Sequence, residues 1–155
     1  MKLRALTAPV ICFVLGSASF YEVETRTTWL SHLQHHVDYS AVDTASMKWV
    51  HGQEEGRVSY DMKFLHNDET THEVTMLVRY PAGQVNPPHL HPFGHGMFVL
   101  QGKLKTHRGV YGPGSFVWFP GDEPMSHGAT DDEDVVVLFL RHADMTTTYV
   151  KPANE

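Results

Sequence analysis

The sequence predicts one all-β domain, an antiparallel sandwich or barrel, on three observations. Apolar and polar residues alternate in short runs from Met47 onward. Glycine and proline, 12 and 9 of them in 155 residues, punctuate those runs. No helical pattern of about 10–15 residues separates them, so the crossovers that a parallel sheet needs are missing. With 41% apolar and 19% charged residues the chain can bury a core, which excludes wholesale disorder.

Taken in order, residues 1–20 read as a secretory signal segment. Lys2 and Arg4 precede an apolar stretch from Ala5 to Leu15, and the small residues Gly16 to Ser19 follow. The stretch is shorter than the roughly 20 apolar residues of a membrane-spanning helix. The expectation is export to a periplasmic or extracellular location, with a cytoplasmic location as the alternative and no membrane contact after cleavage. Cys12, the single cysteine, falls inside this segment. The mature chain then has no thiol and suits an oxidising compartment. Residues 21–46 form a polar N-terminal arm. Thr28 to Leu33 can start a short helix, and His32 and His36 stand four apart on it, but no third ligand is in register and a solvated face is the reading adopted.

Residues 47–150 form the barrel and 151–155 a tail. Strands are read at Val58–Phe64, Val74–Tyr80, Gly96–Leu100, Lys103–His107, Ser115–Phe119, Val135–Leu140 and Thr147–Val150. Turns are read at His66–Glu69, Pro81–Gly83 and Tyr111–Gly114. The Lys103–His107 strand, with its two lysines, reads as a sheet edge. Alternation places Val58, Tyr60, Met62, Phe64, Met76, Val78, Met97, Val99, Phe116, Trp118, Val137 and Phe139 inward.

Charge and histidine content narrow the function. Twelve basic residues against 18 acidic ones give a net charge of −6, with no basic patch, which argues against a nucleic-acid partner. Histidine is as frequent as lysine and arginine together, at 12, and several histidines are bunched. His89 and His91 are two apart, so on an extended chain both imidazoles project to one side. His95 opens the next strand and can face them, and His127 follows a proline-rich turn beside another strand. Three or four imidazoles meeting inside a barrel suit Zn, Mn, Ni, Cu or Fe.

The stretch Gly83-x5-His89-x-His91-x3-His95-x6-Gly102 resembles the first motif of the cupin superfamily, and Gly114-x5-Pro120 followed by His127 resembles the second. The resemblance implies a double-stranded β-helix, or jelly-roll barrel. It also implies one divalent transition metal on His89, His91, His95 and His127. Two departures stand out. His95 occupies the position usually held by glutamate, so the donor set is either four histidines or, if His95 points away, three. The step from Pro120 to His127 is two residues longer than is usual. A ligand set without carboxylate leaves the ion its full charge, which favours binding an anionic or enolate-like oxygen.

No catalytic residue beyond the metal is evident. Glu123, Tyr60 and Gln101 are the polar candidates, together with Tyr80. Similarity to small cupins implies a metal-dependent enzyme of dioxygenase type acting on a small oxygenated organic molecule. A Zn or Mn isomerase or cyclase and a non-catalytic metal- or ligand-binding barrel are the alternatives. The implied partners are a small molecule in the barrel and, by resemblance, a second copy in a homodimer.

Overall fold

The computed structural model describes residues 39–54, 57–143 and 145–150. The signal-like segment, the His32 and His36 pair and the C-terminal tail lie outside the described residues. All described secondary structure is strand: β1 (Val50–Glu54), β2 (Val58–Asn67), β3 (Val74–Tyr80), β4 (Val85–Leu90), β5 (His95–Gln101), β6 (Leu104–Thr106), β7 (Gly109–Tyr111), β8 (Phe116–Phe119), β9 (Met125–Ala129), β10 (Val135–Arg141) and β11 (Thr148–Tyr149). They form two antiparallel sheets. One has the order β1-β2-β3-β10-β5-β8 and the other β11-β4-β9-β6-β7. After the β1–β2–β3 meander the chain moves back and forth between the sheets, so that β10 comes to lie between β3 and β5. This is the double-stranded β-helix that the motifs implied.

The core lies between the sheets and consists of inward residues of both. Val58, Val78, Met97, Val99, Val137 and Phe139 are buried, as alternation predicted. Tyr60, Met62 and Met76 face inward but remain partly accessible. The prediction fails at two residues. Phe116 and Trp118 are 55% and 52% exposed, whereas Phe119, the next residue and on the opposite parity, is buried. The cause is register: His95 pairs with Phe119 and Gly96 with Trp118, and directly opposed residues share a face. The outward rings of Phe116 and Trp118 lie over Gly94 and Gly96, where a Cβ would meet them at 2.7 Å. Phe64 stays 46% exposed, beside a register shift between Phe64 and His66.

Other expectations need correction as well. His66 and Asn67 belong to β2. The turn starts at Asp68, whose carboxylate accepts hydrogen bonds from the backbone N–H of Thr70 and Thr71 at 2.7 and 3.1 Å. The Lys103–His107 strand is not an edge, because β6 is paired on both sides, with β7 and β9. Its lysines instead meet the acidic loop before β10. Lys103 lies 3.0 Å from Glu133 and Lys105 3.7 Å from Asp131. Strands β4, β7 and β9 lack the alternation that identifies a strand. Pro87 and Pro88 sit within β4 and cannot donate ladder hydrogen bonds, and its pairing with β9 is interrupted between Asn86 and His89.

Two glycines at similar backbone angles separate strain from crowding. Gly102 has φ +70°, and a Cβ there would stand 2.0 Å from the Asp134 carbonyl oxygen. Gly114 has φ +86° with open space around it. Gly114→Ala should therefore cost about 1 kcal/mol, the price of a left-handed residue. Gly102→Ala should cost upward of about 3 kcal/mol, because the backbone must also move. Urea unfolding of both variants checks this; equal losses would contradict it.

Candidate metal centre

Four histidines converge between the sheets. His89 comes from β4, His91 from the residue after it, His95 from the start of β5 and His127 from the middle of β9. All four are nearly inaccessible, at 0–4% exposure. Strand parity brings the first pair together: the His89 and His91 ring centroids are 4.8 Å apart. His127 pairs across β4 with Asn86, which sets its ring 5.0 Å from that of His89. The longer step before His127 is absorbed at Gly121 to Pro124. Asp122 takes φ 58° there and its N–H donates to the His91 carbonyl at 2.7 Å. The same contact holds the loop that carries His91.

His89, His91 and His127 each offer a ring nitrogen within 4.8 Å of the others, a grouping that can hold a metal ion. His95 is outside that threefold group but adjoins it, with ring centroids 5.2 Å from His91 and 5.6 Å from His127. Its ring is stacked between Phe119 and Phe139 at 5.0 and 4.9 Å, which fixes its plane.

Hydrogen bonding sets the tautomers. His89 Nδ1–H donates to the Pro87 carbonyl at 2.6 Å, and His91 Nδ1–H donates to the Thr146 carbonyl at 3.0 Å. A carbonyl only accepts, so both Nδ1 atoms carry the proton and both Nε2 lone pairs are free. Histidines that bind metal are oriented by this kind of second contact. Five ring nitrogens of the cluster are buried without a hydrogen-bond partner: His89 Nε2, both of His95 and both of His127. Leaving a buried polar atom unsatisfied costs about 1–3 kcal/mol. A cluster of such atoms in a folded interior fits a metal better than it fits a packing role.

Burial is also the first cause of the titration behaviour. It pushes His89 and His91 below the ordinary imidazole range, His127 well below it, and His95 down to about 3. The neighbouring histidines add to the effect for His95 and His127. The rings are thus neutral, as metal ligands must be.

His91 and His127 open onto a cavity of about 230 Å³. Its walls include Met62, Met76 and Val78, with Tyr60, Tyr80 and Asn86 as polar groups. Tyr80 is fully buried and its phenol is pushed up by desolvation; Tyr60 is raised in the same way, with a smaller contribution from Glu54. Of the four polar residues first singled out, Tyr60 and Tyr80 reach this cavity and Gln101 and Glu123 do not. Gln101 is exposed at the far end of β5. Glu123 lines a separate hollow of about 140 Å³ and lies 3.8 Å from Arg108. Sequence reasoning missed two charged residues of the cavity wall, Glu54 and Arg141. Pairing explains both. Glu54 is opposite buried Val58, and Arg141 is opposite buried Val74 and His95. Neither stands out in the sequence, because each ends a strand whose inward face is defined by its partner.

A family model described as the ChrR cupin-like domain matches residues 37–146. No curated protein matches the chain. Among solved structures, the polyketide cyclase RemF from Streptomyces resistomycificus is similar with a TM-score of 0.64 at 18% identity, over 76% of this chain and 89% of that one. A candidate acetylacetone dioxygenase from Methylibium petroleiphilum PM1 gives 0.62 at 15% identity, over 77% and 85%. A cupin-like protein from Thermotoga maritima gives 0.55 at 23% identity, over 63% and 80%. At these identities the likeness is one of fold.

The depressed histidines set a pH dependence. Their folded-state values lie below the unfolded value of about 6.5, so the unfolded chain binds more protons in between. Metal-free protein should hold a constant melting temperature above about pH 6.5 and lose stability steadily as pH falls from there toward about 3, where His95 titrates. His95→Leu should flatten that slope. A dialysis series should likewise place the midpoint of metal loss below about pH 6.5, the value for ordinary imidazoles.

Proposed function

This chain is a member of the ChrR cupin-like domain family, and from that premise we propose that it is a metal-dependent enzyme of dioxygenase type. In this reading one divalent transition metal, Fe, Mn, Zn, Ni or Cu, sits on His89, His91 and His127, with His95 as the fourth donor. The substrate is a small oxygenated organic molecule held in the adjoining cavity.

The observation that carries the reading is a donor set of imidazoles alone at the wall of a mostly apolar cavity of about 230 Å³. The bound ion would supply Lewis acidity and, as iron, a centre for activating dioxygen. Everything else falls to the chain. A cavity of this size, below the roughly 300 Å³ at which drug-sized pockets begin, selects for a small ligand. Met62, Met76 and Val78 give it an apolar wall. The Tyr60 and Tyr80 phenols, kept protonated by burial, can donate hydrogen bonds to substrate oxygens. Arg141 adds a positive charge, although its Nη1 also donates to the Ala143 carbonyl at 2.6 Å. A Zn or Mn isomerase or cyclase is the second reading. It is favoured by the likeness to RemF and by a carboxylate among the described residues that line the cavity, Glu54.

Elemental analysis of protein purified without added metal tests this, alongside His89→Ala and His95→Ala. About one metal per chain should be found, lost in His89→Ala and, for four-histidine ligation, also in His95→Ala. Metal kept in His95→Ala reduces the set to three. Iron with substrate-dependent oxygen uptake supports the dioxygenase. Zinc or manganese without oxygen uptake overturns it in favour of the second reading. Protein that takes up no metal after reconstitution overturns both.

A further inference from the structure

We infer that the outward face of β10, β5 and β8 is the surface on which two copies of this chain pack about a twofold axis. The three strands are neighbours in one sheet, and β8 is its edge. Strand pairing lines up their outward side chains. Phe116 stands opposite Phe98, and Phe98 opposite Leu138. Trp118 stands opposite Gly96, whose missing side chain leaves room for the aromatic rings of β8. An antiparallel sheet that faces water ordinarily carries polar residues on that side. Here Trp118 is 52% exposed, Phe116 55%, Leu100 46% and Phe98 36%. The outward positions from Gly96 to Leu100, Phe116 to Trp118 and Val136 to Leu140 hold no charged residue. The other half of the same outer face differs. There β2 and β3 carry Lys63 and Arg79, and the chain's own Trp49 lies over both, at 4.6 and 4.7 Å. Lys63 Nζ also donates to the Thr44 carbonyl at 2.8 Å. The charged half is thus covered from within the chain, and the apolar half stays exposed.

Area and charge select the occupant. Three partly exposed aromatic rings and the leucines beside them present roughly 500 Å² of apolar surface, at about 150–250 Å² for a whole ring. The largest such patch on a typical monomer is about 300–600 Å², and it often marks a binding face. An interface of standard size removes about 800 Å² from each partner, about three-fifths of it apolar, which is again about 500 Å². The face is therefore large enough for a stable pair. A charged partner is selected by complementary charge, and this face offers none. A second copy is selected differently. Across a twofold axis a patch meets itself, so a charge near the axis would face its own kind. Chains of net charge −6 also repel one another at a distance and can pack closely only where charge is absent. The β10–β5–β8 face meets both conditions, and its two most exposed rings, Phe116 and Trp118, are the anchors of the contact.

Sedimentation of the full chain across a dilution series provides the test, on wild type, Phe116→Glu, Trp118→Glu and Val110→Glu. Val110 is as exposed as Phe116, at 54%, but lies on β7 in the other sheet. Wild type should sediment as a dimer that dissociates on dilution. Phe116→Glu and Trp118→Glu should each raise the dissociation constant about 100-fold or more, because each change enters the contact twice. Val110→Glu should leave it unchanged. Hydroxyl-radical oxidation of wild type, read by mass spectrometry at Phe116 and Trp118, gives a second measurement that needs no variant. Both rings should be protected in the dimer and become reactive on dilution. A wild type that is monomeric throughout overturns the inference. So does a dimer that survives both glutamate substitutions, or one that Val110→Glu weakens equally. Rings equally reactive in dimer and monomer place the interface elsewhere and overturn it. Rings protected in a monomer also overturn it, in favour of another occupant of the face.

Discussion

Unpaired nitrogens on three of four clustered, buried imidazoles are the constraint around which the rest of this barrel is arranged. Buried polar atoms are ordinarily satisfied, and the fold does satisfy the Nδ1 atoms of His89 and His91 through backbone carbonyls. It leaves His89 Nε2 and both ring nitrogens of His95 and of His127 without partners. Several features of the chain serve that arrangement. Two prolines interrupt the β4 ladder where His89 turns inward. Phe119 and Phe139 hold the His95 ring from both sides. Gly128, beside His127, lets β9 approach β4 closely, since a Cβ there would meet the Gln84 carbonyl oxygen at 2.2 Å. The elements are thus fitted to the cluster at a cost in ordinary packing and pairing.

Charge follows from the same choice of ligands. With histidine where the cupin motif usually has glutamate, negative charge is removed from the donor set. A carboxylate then appears elsewhere, on β1, across the cavity rather than in the cluster. A carboxylate among the donors neutralises an ion directly; one at a distance leaves the ion's charge available to a ligand and can itself exchange protons. Arg141 enters the same wall from β10, opposite His95. The cavity therefore combines an apolar surface with both signs of charge.

What was legible in the sequence is what local parity and spacing encode. His89 and His91 could be assigned to one side because two residues along an extended chain bring a side chain back to the same face. The inward placement of Val58, Val78, Met97, Val99, Val137 and Phe139 followed from the same rule. Where placement depends on a partner strand, the rule had nothing to work on. Phe116 and Trp118 alternate correctly but on the wrong parity, because pairing of His95 with Phe119 sets which face is inside. β6 looks like an edge by composition, yet β7 and β9 flank it. β4 and β9 lack full apolar alternation because inward positions on them carry His89 and His127.

The division between motif and surroundings has a physical basis. Ligand atoms must be placed to within fractions of an ångström, which favours rigid strands and short spacings, and such spacings can be recognised in a chain. Groups that adjust the charge of a cavity act over longer distances and tolerate looser placement. They can be supplied by any strand whose inward face reaches the cavity. Glu54, at the end of the first strand, and Arg141, at the end of β10, are of this second kind. The motifs therefore specify that a metal can be held, whereas the ends of neighbouring strands place charge on the wall of the cavity beside it.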